Sequence, residues 1–411
     1  IVMTTTATPS DLDLTTELGK GANISVIRLV ECLVACAYRA RASDIHLDPV
    51  SGTLKVRYRV DGNLRDIETI PAHLREEVIS RLKILSGLRT DEHQAAQDGR
   101  FRVDVSGTQI DVRVSIVPTY YGENAVMRLL AEQADDYSLE ALGFTAENQK
   151  RLNAAIQKPH GMVLITGPTG SGKTTTLYSL VRLLNTKDRS IITIEDPVEY
   201  SIDGINQIQV NPRTGLTFAH GLRSILRQDP NIIMVGEIRD AETAGLGVNA
   251  ALTGHLVLST LHTNDAPTAL PRLIDMKVEP FLIASTVSVV VSQRLVRRIC
   301  VHCKTVHKLT AAELKSVSEI MSASVLVVPP TCYIGTGCEQ CDNTGYRGRI
   351  GIHEVLEVDT PIRDAILSKA TSNDIRALAL ARGMTPIIVD GFEKAKQGLT
   401  TFTEVLRVYH E

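Results

Sequence analysis

Short, fully apolar runs separated by helix-like patterns characterise the second half of the chain. From Thr145 onward the runs "GMVLITG", "SIITIED", "IIMVGEI" and "HLVLSTL" follow one another with helical segments between them. Such strands are typical of a mostly parallel sheet that is covered on both faces. We therefore predict an α/β domain over residues 146–411.

The first half of the chain has a different pattern. A helix is predicted from Asn23, where "NISVIRLVECLVACAYRARA" repeats apolar residues at helical spacing. Alternating apolar and polar residues then predict antiparallel strands and, with an intervening helix, a small α+β domain over residues 23–132. Residues 1–22 are rich in Thr and Asp and predict a disordered lead-in, and residues 133–145 predict an interdomain linker.

Composition narrows the class of protein. The 411 residues are 43% hydrophobic and 22% charged with a net charge of -3, which gives no overall basic field for nucleic acid. The longest apolar stretch, residues 281–291, is about half as long as a membrane span. The polar opening has no signal-peptide pattern, so we expect a cytoplasmic location.

The segment "GPTGSGKT" matches the phosphate-binding P-loop, and it stands between an apolar strand and a helix. Lys173 would place its charge on the β and γ phosphates, and the Thr174 hydroxyl would bind Mg²⁺. ATP and Mg²⁺ are the expected cofactors. The predicted nucleotide-binding residues here are Gly167, Pro168, Thr169, Gly170, Ser171, Gly172, Lys173, Thr174 and Thr175.

Acidic residues end two of the apolar strands. Glu195 ends the strand in "TIEDPVEY", and Glu237 follows the strand in "IIMVGEIRD". One acid is needed to orient and deprotonate water, and another to hold Mg²⁺ directly or through water. His255 and His262 flank a further strand, although such a pair taken alone is more often structural than catalytic.

Four of the seven cysteines form two CxxC pairs separated by 34 residues: Cys300 with Cys303, and Cys338 with Cys341. Two such pairs are the common way to build a tetrahedral structural zinc site, here in a lobe over residues 300–341. Redox-active cysteine pairs are the alternative. The other cysteines, Cys32, Cys36 and Cys332, are interpreted as unliganded.

Taken in order, these motifs resemble the secretion ATPase superfamily that powers type II secretion and type IV pilus assembly. The resemblance extends to "SDIHLDP", "QDGRFRVDV", "SQRLVRRICVHC" and "GRIGIHEVLEV", and so covers nearly all of residues 24–411. It implies a RecA-like motor domain with a PAS-like N-terminal domain. In that family the second acidic strand usually ends Gly-Glu, so Gly236 in place of a metal-binding aspartate is the family's form.

The resemblance also implies roles for individual residues. Glu237 would be the catalytic glutamate, Glu195 its partner in positioning metal or water, and His262 a contact to the γ phosphate. His255 would couple the same strand to the nucleotide. Arginines would neutralise phosphate charge, and the matching positions are Arg113 and Arg128 on the smaller domain and Arg223, Arg227 and Arg239 on the motor domain.

The implied function is that of a hexameric assembly motor, because retraction motors of the family as a rule lack the CxxC pairs. Its expected partner is an inner-membrane platform protein, with peripheral location at that membrane and no nucleic acid. A pilus-retraction motor, a DNA-translocating RecA-like motor and a regulatory member without turnover are the alternatives. The sequence does not separate pili from type II secretion, and the family's membrane-recruiting N-terminal domain is not evident in it.

Overall fold

In the computed structural model the chain divides into two compact units, residues 1–135 and residues 136–411. The structure describes residues 2–4, 13–105, 107–131, 138–310 and 331–410. The division falls near the start of the predicted linker.

The first unit is built on one sheet of seven strands in the order β1-β5-β6-β7-β2-β3-β4. All neighbours in it are antiparallel except β1 and β5. Its strands are β1 (Val2–Thr4), β2 (Ala42–Val50), β3 (Thr53–Val60), β4 (Asn63–Pro71), β5 (Gln97–Val105), β6 (Thr108–Thr119) and β7 (Gly122–Ala131).

Helices cover one face of this sheet, where the apolar residues of the alternating strands form a single core. Helix α2 (Val26–Arg39) buries a continuous apolar stripe, as its spacing predicts, and helix α3 (Arg75–Ser86) packs beside it. Helix α1 (Leu14–Leu18) lies inside the segment that was predicted to be disordered. The prediction of disorder is therefore wrong for this part of the chain. It is ordered because Leu14 is buried and the carboxylate of buried Glu17 accepts the Ser25 amide.

The second unit contains the predicted mostly parallel sheet, in the order β10-β9-β11-β12-β8-β13-β16. The last strand alone runs antiparallel to its neighbour. The strands are β8 (Gly161–Thr166), β9 (Ile191–Glu195), β10 (Asn206–Gln209), β11 (Ile232–Val235), β12 (Leu256–Leu261), β13 (Val287–Ile299) and β16 (Tyr346–Glu357), and a separate pair is formed by β14 (Lys304–Lys308) and β15 (Thr331–Gly335).

Both faces of this sheet are covered, as its fully apolar strands require. Strands β8, β9, β11 and β12 are buried at every residue, and each face contributes its own hydrophobic core. The helices of this unit are α4 (Ala146–Ile156), α5 (Lys173–Leu184), α6 (Phe218–Ile225), α7 (Ala241–Leu252), α8 (Ala266–Asp275), α9 (Pro280–Thr286), α10 (Thr360–Leu367), α11 (Ser372–Ala381), α12 (Ile387–Lys396) and α13 (Phe402–His410).

The later part of the predicted linker, residues 138–144, belongs to the second unit. Leu139 and Phe144 are buried in its core, and the amide of Gly351 donates to the carbonyl of Leu142 at 3.1 Å. The acidic residues of this segment suggested a linker, but Leu139 and Phe144 attach its later part to the second unit. Residues 132–137 lie outside the described residues, as do residues 311–330 within the predicted zinc lobe.

Throughout the ranges that the structure describes, each helix is too short or too polar to span a bilayer.

Candidate functional site

The P-loop connects the end of strand β8 to the start of helix α5. Three of its glycines have positive φ angles, 144° at Gly167, 79° at Gly170 and 88° at Gly172. These conformations favour glycine and allow the loop to fold tightly at the helix N-terminus. A helix N-terminus preceded by such a loop is a site for phosphate, as the sequence predicts.

Lys173 is folded back over this loop. Its ammonium donates to the carbonyl oxygens of Gly167 at 2.8 Å and Pro168 at 2.9 Å. Burial lowers the pKa of Lys173, and the nearby negative charge of Glu237 opposes that shift. The lysine therefore lies in the loop within electrostatic reach of the acidic strand end, while the Thr174 side chain is exposed beside it and open to a metal ion.

Glu237 follows strand β11 and lies at the centre of a small polar cluster. Its Oε2 is 3.1 Å from Nε2 of His262 and 2.7 Å from Nε of Arg239. A His262 that carries its proton on Nε2 donates to this carboxylate and orients it. The three side chains meet because β11 and β12 are parallel neighbours in register, so the residues that follow them share one edge of the sheet.

Glu195, at the end of β9, points into a buried network. Its carboxylate accepts from the hydroxyls of Tyr178 and Thr193, the latter at 2.5 Å, and from the Gln207 amide at 3.2 Å. Burial raises the pKa of Glu195, and the hydrogen bonds from these three residues oppose that rise. The role of Glu195 at the metal or water stays a prediction.

The arginines divide into two groups. On the motor unit Arg239 contacts Glu237, whereas Arg223 forms an ion pair with Glu242 and Arg227 donates to the carbonyl of Arg223 at 2.9 Å. In the first unit, Arg113 and Arg128 are directly opposite each other on strands β6 and β7, and Arg128 donates to Asp44 at 3.0 Å. Their roles toward phosphate stay predictions.

His255 lies at the other end of strand β12 from His262. Its Nδ1 is 2.9 Å from the carbonyl oxygen of Ala250, and its own carbonyl accepts the amide of Gly161. The six residues between the two histidines span about 20 Å as a strand. The structure therefore does not bring His255 to the P-loop, because both histidines belong to one motif but flank a whole strand.

Two functional candidates were missed from the sequence, Tyr178 and Gln293. Tyr178 contacts Glu195 from helix α5, and Gln293 contacts the P-loop from strand β13. The available signal was weak, because each is one of several polar residues within a largely apolar run, "TTLYSLVRLL" for the first and "VVVSQRLV" for the second. A buried polar group needs a partner, and in both cases the partner lies in the site.

The four CxxC cysteines form one cluster, in which the Sγ atoms of Cys300, Cys303, Cys338 and Cys341 all lie within 4.8 Å of one another. Sulfur atoms are 3.8 Å apart between Cys300 and Cys338, 3.8 Å between Cys303 and Cys341, and 3.7 Å between Cys338 and Cys341. A tetrahedral zinc with Zn–S bonds of about 2.3 Å separates its ligands by about 3.8 Å, so the arrangement fits zinc.

Backbone amides support this donor set. The N–H groups of Cys338 and Gly345 both donate to the Cys341 sulfur at 3.3 Å. Although burial raises the pKa of Cys341, these backbone hydrogen bonds, together with those from the Cys338 and Cys303 side chains, lower that pKa to about 6. A thiolate is the form of cysteine that binds metal.

Comparison with known proteins agrees with this geometry. The sequence model of a family described as "Type II/IV secretion system protein" matches residues 20–407. The chain is 49% identical over 383 residues to the type IV pilus assembly ATPase PilB of Thermus thermophilus, covering 92% of this chain and 42% of that protein. It is 46% identical over 387 residues to the type II secretion system ATPase E of Vibrio cholerae, covering 94% of this chain and 76% of that protein.

Among solved structures, the chain is similar to the pilus retraction motor PilT, whose structure was determined with bound ADP. The two have a TM-score of 0.64 and are 26% identical, and the match covers 92% of this chain and 96% of PilT. The predicted fold class, a P-loop motor domain with a smaller N-terminal α+β domain, is confirmed.

Proposed function

This chain belongs to the Type II/IV secretion system protein family, and from that membership we propose that it is the ATP-driven motor of an assembly machine for type IV pili or type II secretion pseudopili. The family match confirms the resemblance drawn from the sequence, and the relatives that are named ATPases support the prediction of an ATPase. The chain spans less than half of the Thermus relative, so the activity of the complete machine is part of the proposal.

The observation that carries the proposal is that the P-loop and an acid able to activate water lie at the same edge of the sheet. Lys173 lies in the loop after β8, and Glu237 lies after β11 within its electrostatic reach. In this arrangement Glu237 acts as the base toward water and His262 orients its carboxylate. Thr174 would hold Mg²⁺, which supplies positive charge to the β and γ phosphates.

The assembly direction is supported by a higher sequence identity to two assembly and secretion ATPases than to a retraction motor. Identity to the type IV pilus assembly ATPase and to the type II secretion ATPase is 49% and 46%, against 26% to the retraction motor. We propose a hexamer that acts on a platform protein from the face of the inner membrane, and a structural zinc ion held by the four clustered cysteines.

ATP turnover by three variants tests the catalytic part. Glu237→Gln is expected to lose at least about 100-fold in kcat while still binding ATP, because it removes the base and keeps the shape of the side chain. Lys173→Ala is expected to lose both turnover and ATP affinity. Glu147→Gln, an exposed carboxylate on helix α4 paired with Arg151, serves as the matched control and retains full turnover.

Each part of the proposal has its own contrary result. Turnover that survives in Glu237→Gln removes the assignment of the base. Strong stimulation of wild-type turnover by added DNA argues for a DNA-translocating motor instead of a secretion motor. Nucleotide binding without any turnover by the wild-type chain would support a regulatory member.

A further inference from the structure

Strand β13 continues past the end of β8 and along the P-loop, where it remains paired with β16. Its pairing with β8 ends at Ser292, opposite Thr166, and Gln293 is the next residue. Since β8 leads directly into the P-loop, the continuation of β13 runs beside that loop. Gln293 is only 2% exposed there.

The side-chain amide of Gln293 makes two hydrogen bonds to the phosphate-binding segment. Its Nε2 donates to the carbonyl oxygen of Ser171 at 2.8 Å, and its Oε1 accepts from the hydroxyl of Thr176 at 2.8 Å. One partner lies in the loop and the other in the first turn of helix α5. The amide therefore ties the loop to the helix that follows it.

The backbone of β13 also lies close to the loop. A Cβ atom at Gly167 would collide with the carbonyl oxygen of Gln293, and one at Gly172 would lie 3.1 Å from its Nε2. Gly167 is thus required by the approach of the β13 backbone as well as by its positive φ angle, and Gly172 has little space beside the Gln293 side chain. Strand β13 therefore packs directly against the P-loop and limits the conformations that the loop can adopt.

We propose that Gln293 is a positioning residue that holds the P-loop in the conformation that binds the phosphates of ATP. Loop amides bind phosphate only when they point into the loop, and an unpaired Ser171 carbonyl would favour a different conformation. This inference rests on the proposed ATP motor. According to this inference, nucleotide affinity also depends on Gln293, which is 122 positions away from Ser171 in the sequence.

Nucleotide affinity of paired variants tests the inference. Gln293→Leu removes both hydrogen bonds, and we expect roughly tenfold weaker binding of Mg-ATP and Mg-ADP by titration calorimetry. Thr176→Val removes one hydrogen bond, and we expect about threefold weaker nucleotide binding. Thr176→Ser keeps the hydroxyl and is expected to bind with wild-type affinity. The double variant Thr176→Val with Gln293→Leu is expected to bind no more weakly than Gln293→Leu alone.

Steady-state kinetics give a second readout. Because the loop contacts phosphate in both the ground state and the transition state, we expect the KM for ATP to rise with kcat within about twofold of wild type. Thr286→Val is the matched control. It removes a buried hydroxyl hydrogen bond, 2.7 Å to the Leu282 carbonyl, just before the other end of β13, and we expect a lower Tm with unchanged nucleotide affinity.

Wild-type affinity for both nucleotides in a folded Gln293→Leu protein would overturn the inference, since the amide would then serve stability alone. If Gln293→Leu does not fold, Thr176→Val decides in the same way. A wild-type chain that binds neither nucleotide overturns the proposed function and this inference with it. Normal binding by both variants overturns this inference only.

Discussion

The hydroxyl of Tyr178, on helix α5, donates a hydrogen bond to the buried carboxylate of Glu195 at the end of strand β9. Helix α5 is the helix that begins with the P-loop lysine. The same phenol oxygen accepts the amide of Glu199 at 3.1 Å, so one side chain connects the P-loop helix to the whole acidic segment. Together with Thr193 and Gln207, the Tyr178 hydroxyl opposes the rise that burial causes in the pKa of Glu195.

Tyr178→Phe is expected to shift the acid limb of the kcat/KM profile to higher pH. Burial already raises the pKa of Glu195, and the Tyr178 hydrogen bond opposes that rise. Removing the hydroxyl raises this pKa further, so Glu195 ionises only at higher pH. Initial ATPase rates between pH 5 and 9 provide the measurement.

Tyr200→Phe is the control for this profile. Its ring packs edge-on against Tyr178, with 4.7 Å between the ring centroids, but the donors to Glu195 are Tyr178, Thr193 and Gln207. The control should keep the wild-type profile. An acid limb that does not move in Tyr178→Phe would show that Glu195 ionisation does not limit turnover.

Gly236→Asp, which restores the aspartate found in many other motors, is expected to lower turnover. A Cβ at this position would lie 3.3 Å from the carbonyl oxygen of Ile194 and 3.4 Å from Cα of Glu195, both in the backbone of β9. The new carboxylate would also add negative charge beside Glu237 and the phosphates.

Gly236→Ala separates these two causes. It introduces the crowding without the charge, so we expect a kcat between those of wild type and Gly236→Asp. The measurement is kcat at saturating Mg-ATP. Turnover by Gly236→Asp equal to or above that of wild type would mean that the metal lacks a ligand here.

The sequence predicted those parts of the site that are local in the chain. A P-loop needs contiguous residues between a strand and a helix, so pattern and spacing were sufficient to locate Lys173 and Thr174. Glu237 and His262 follow adjacent parallel strands, and apolar runs predict where such strands end. The four cysteines were likewise found from their spacing, and the structure brings their sulfur atoms together.

Contacts between distant segments could not be predicted in this way. Gln293 reaches Thr176 across 117 positions of sequence, and only the strand order places β13 beside β8. His255 lies a whole strand away from His262, because a motif gives proximity in sequence whereas a strand between two residues separates them in space, and its role stays a prediction. Helix α1 was missed because its stability comes from a tertiary contact of Leu14 and not from a repeated pattern.

Metal analysis is expected to find one zinc per chain in protein purified under reducing conditions. The sulfur separations of 3.7 and 3.8 Å fit a tetrahedral site with four cysteine ligands. Cys338→Ser is expected to lower the zinc content and the Tm. Cys332→Ser, a buried cysteine outside the cluster, is expected to retain full zinc content. Substantially less than one zinc per chain, with disulfides formed on mild oxidation, would favour redox-active pairs.

Glu404→Gln is expected to destabilise the motor unit in a pH-dependent way. Glu404, on helix α13, accepts hydrogen bonds from Arg297 of strand β13 and from Nε of Arg407 at 2.5 Å. Burial acts to raise the pKa of this carboxyl, but the two guanidinium groups outweigh it and hold the pKa below its ordinary value of 4.5.

A depressed carboxyl pKa contributes stability that is present above the unfolded-state pKa and is lost as the pH falls through the folded-state pKa. At pH 7 we therefore expect Glu404→Gln to lower the free energy of unfolding by about 3 kcal/mol, because it leaves two guanidinium groups without their anion. Below about pH 4.5 the difference from wild type should shrink. Calorimetric Tm values between pH 3.5 and 8 provide the measurement.

Glu393→Gln provides the comparison, since its carboxylate pairs with Lys396 at 2.8 Å while 43% exposed. An exposed pair of this kind contributes less than about 1 kcal/mol, so this variant should follow the wild-type Tm across the pH range. A Glu404→Gln deficit that stays constant down to pH 3.5 would mean that the changed hydrogen bonding of the amide, and not the lost charge, is responsible. The pH dependence thus distinguishes an ion pair that holds α13 against β13 from hydrogen bonds whose strength does not depend on the charge of Glu404.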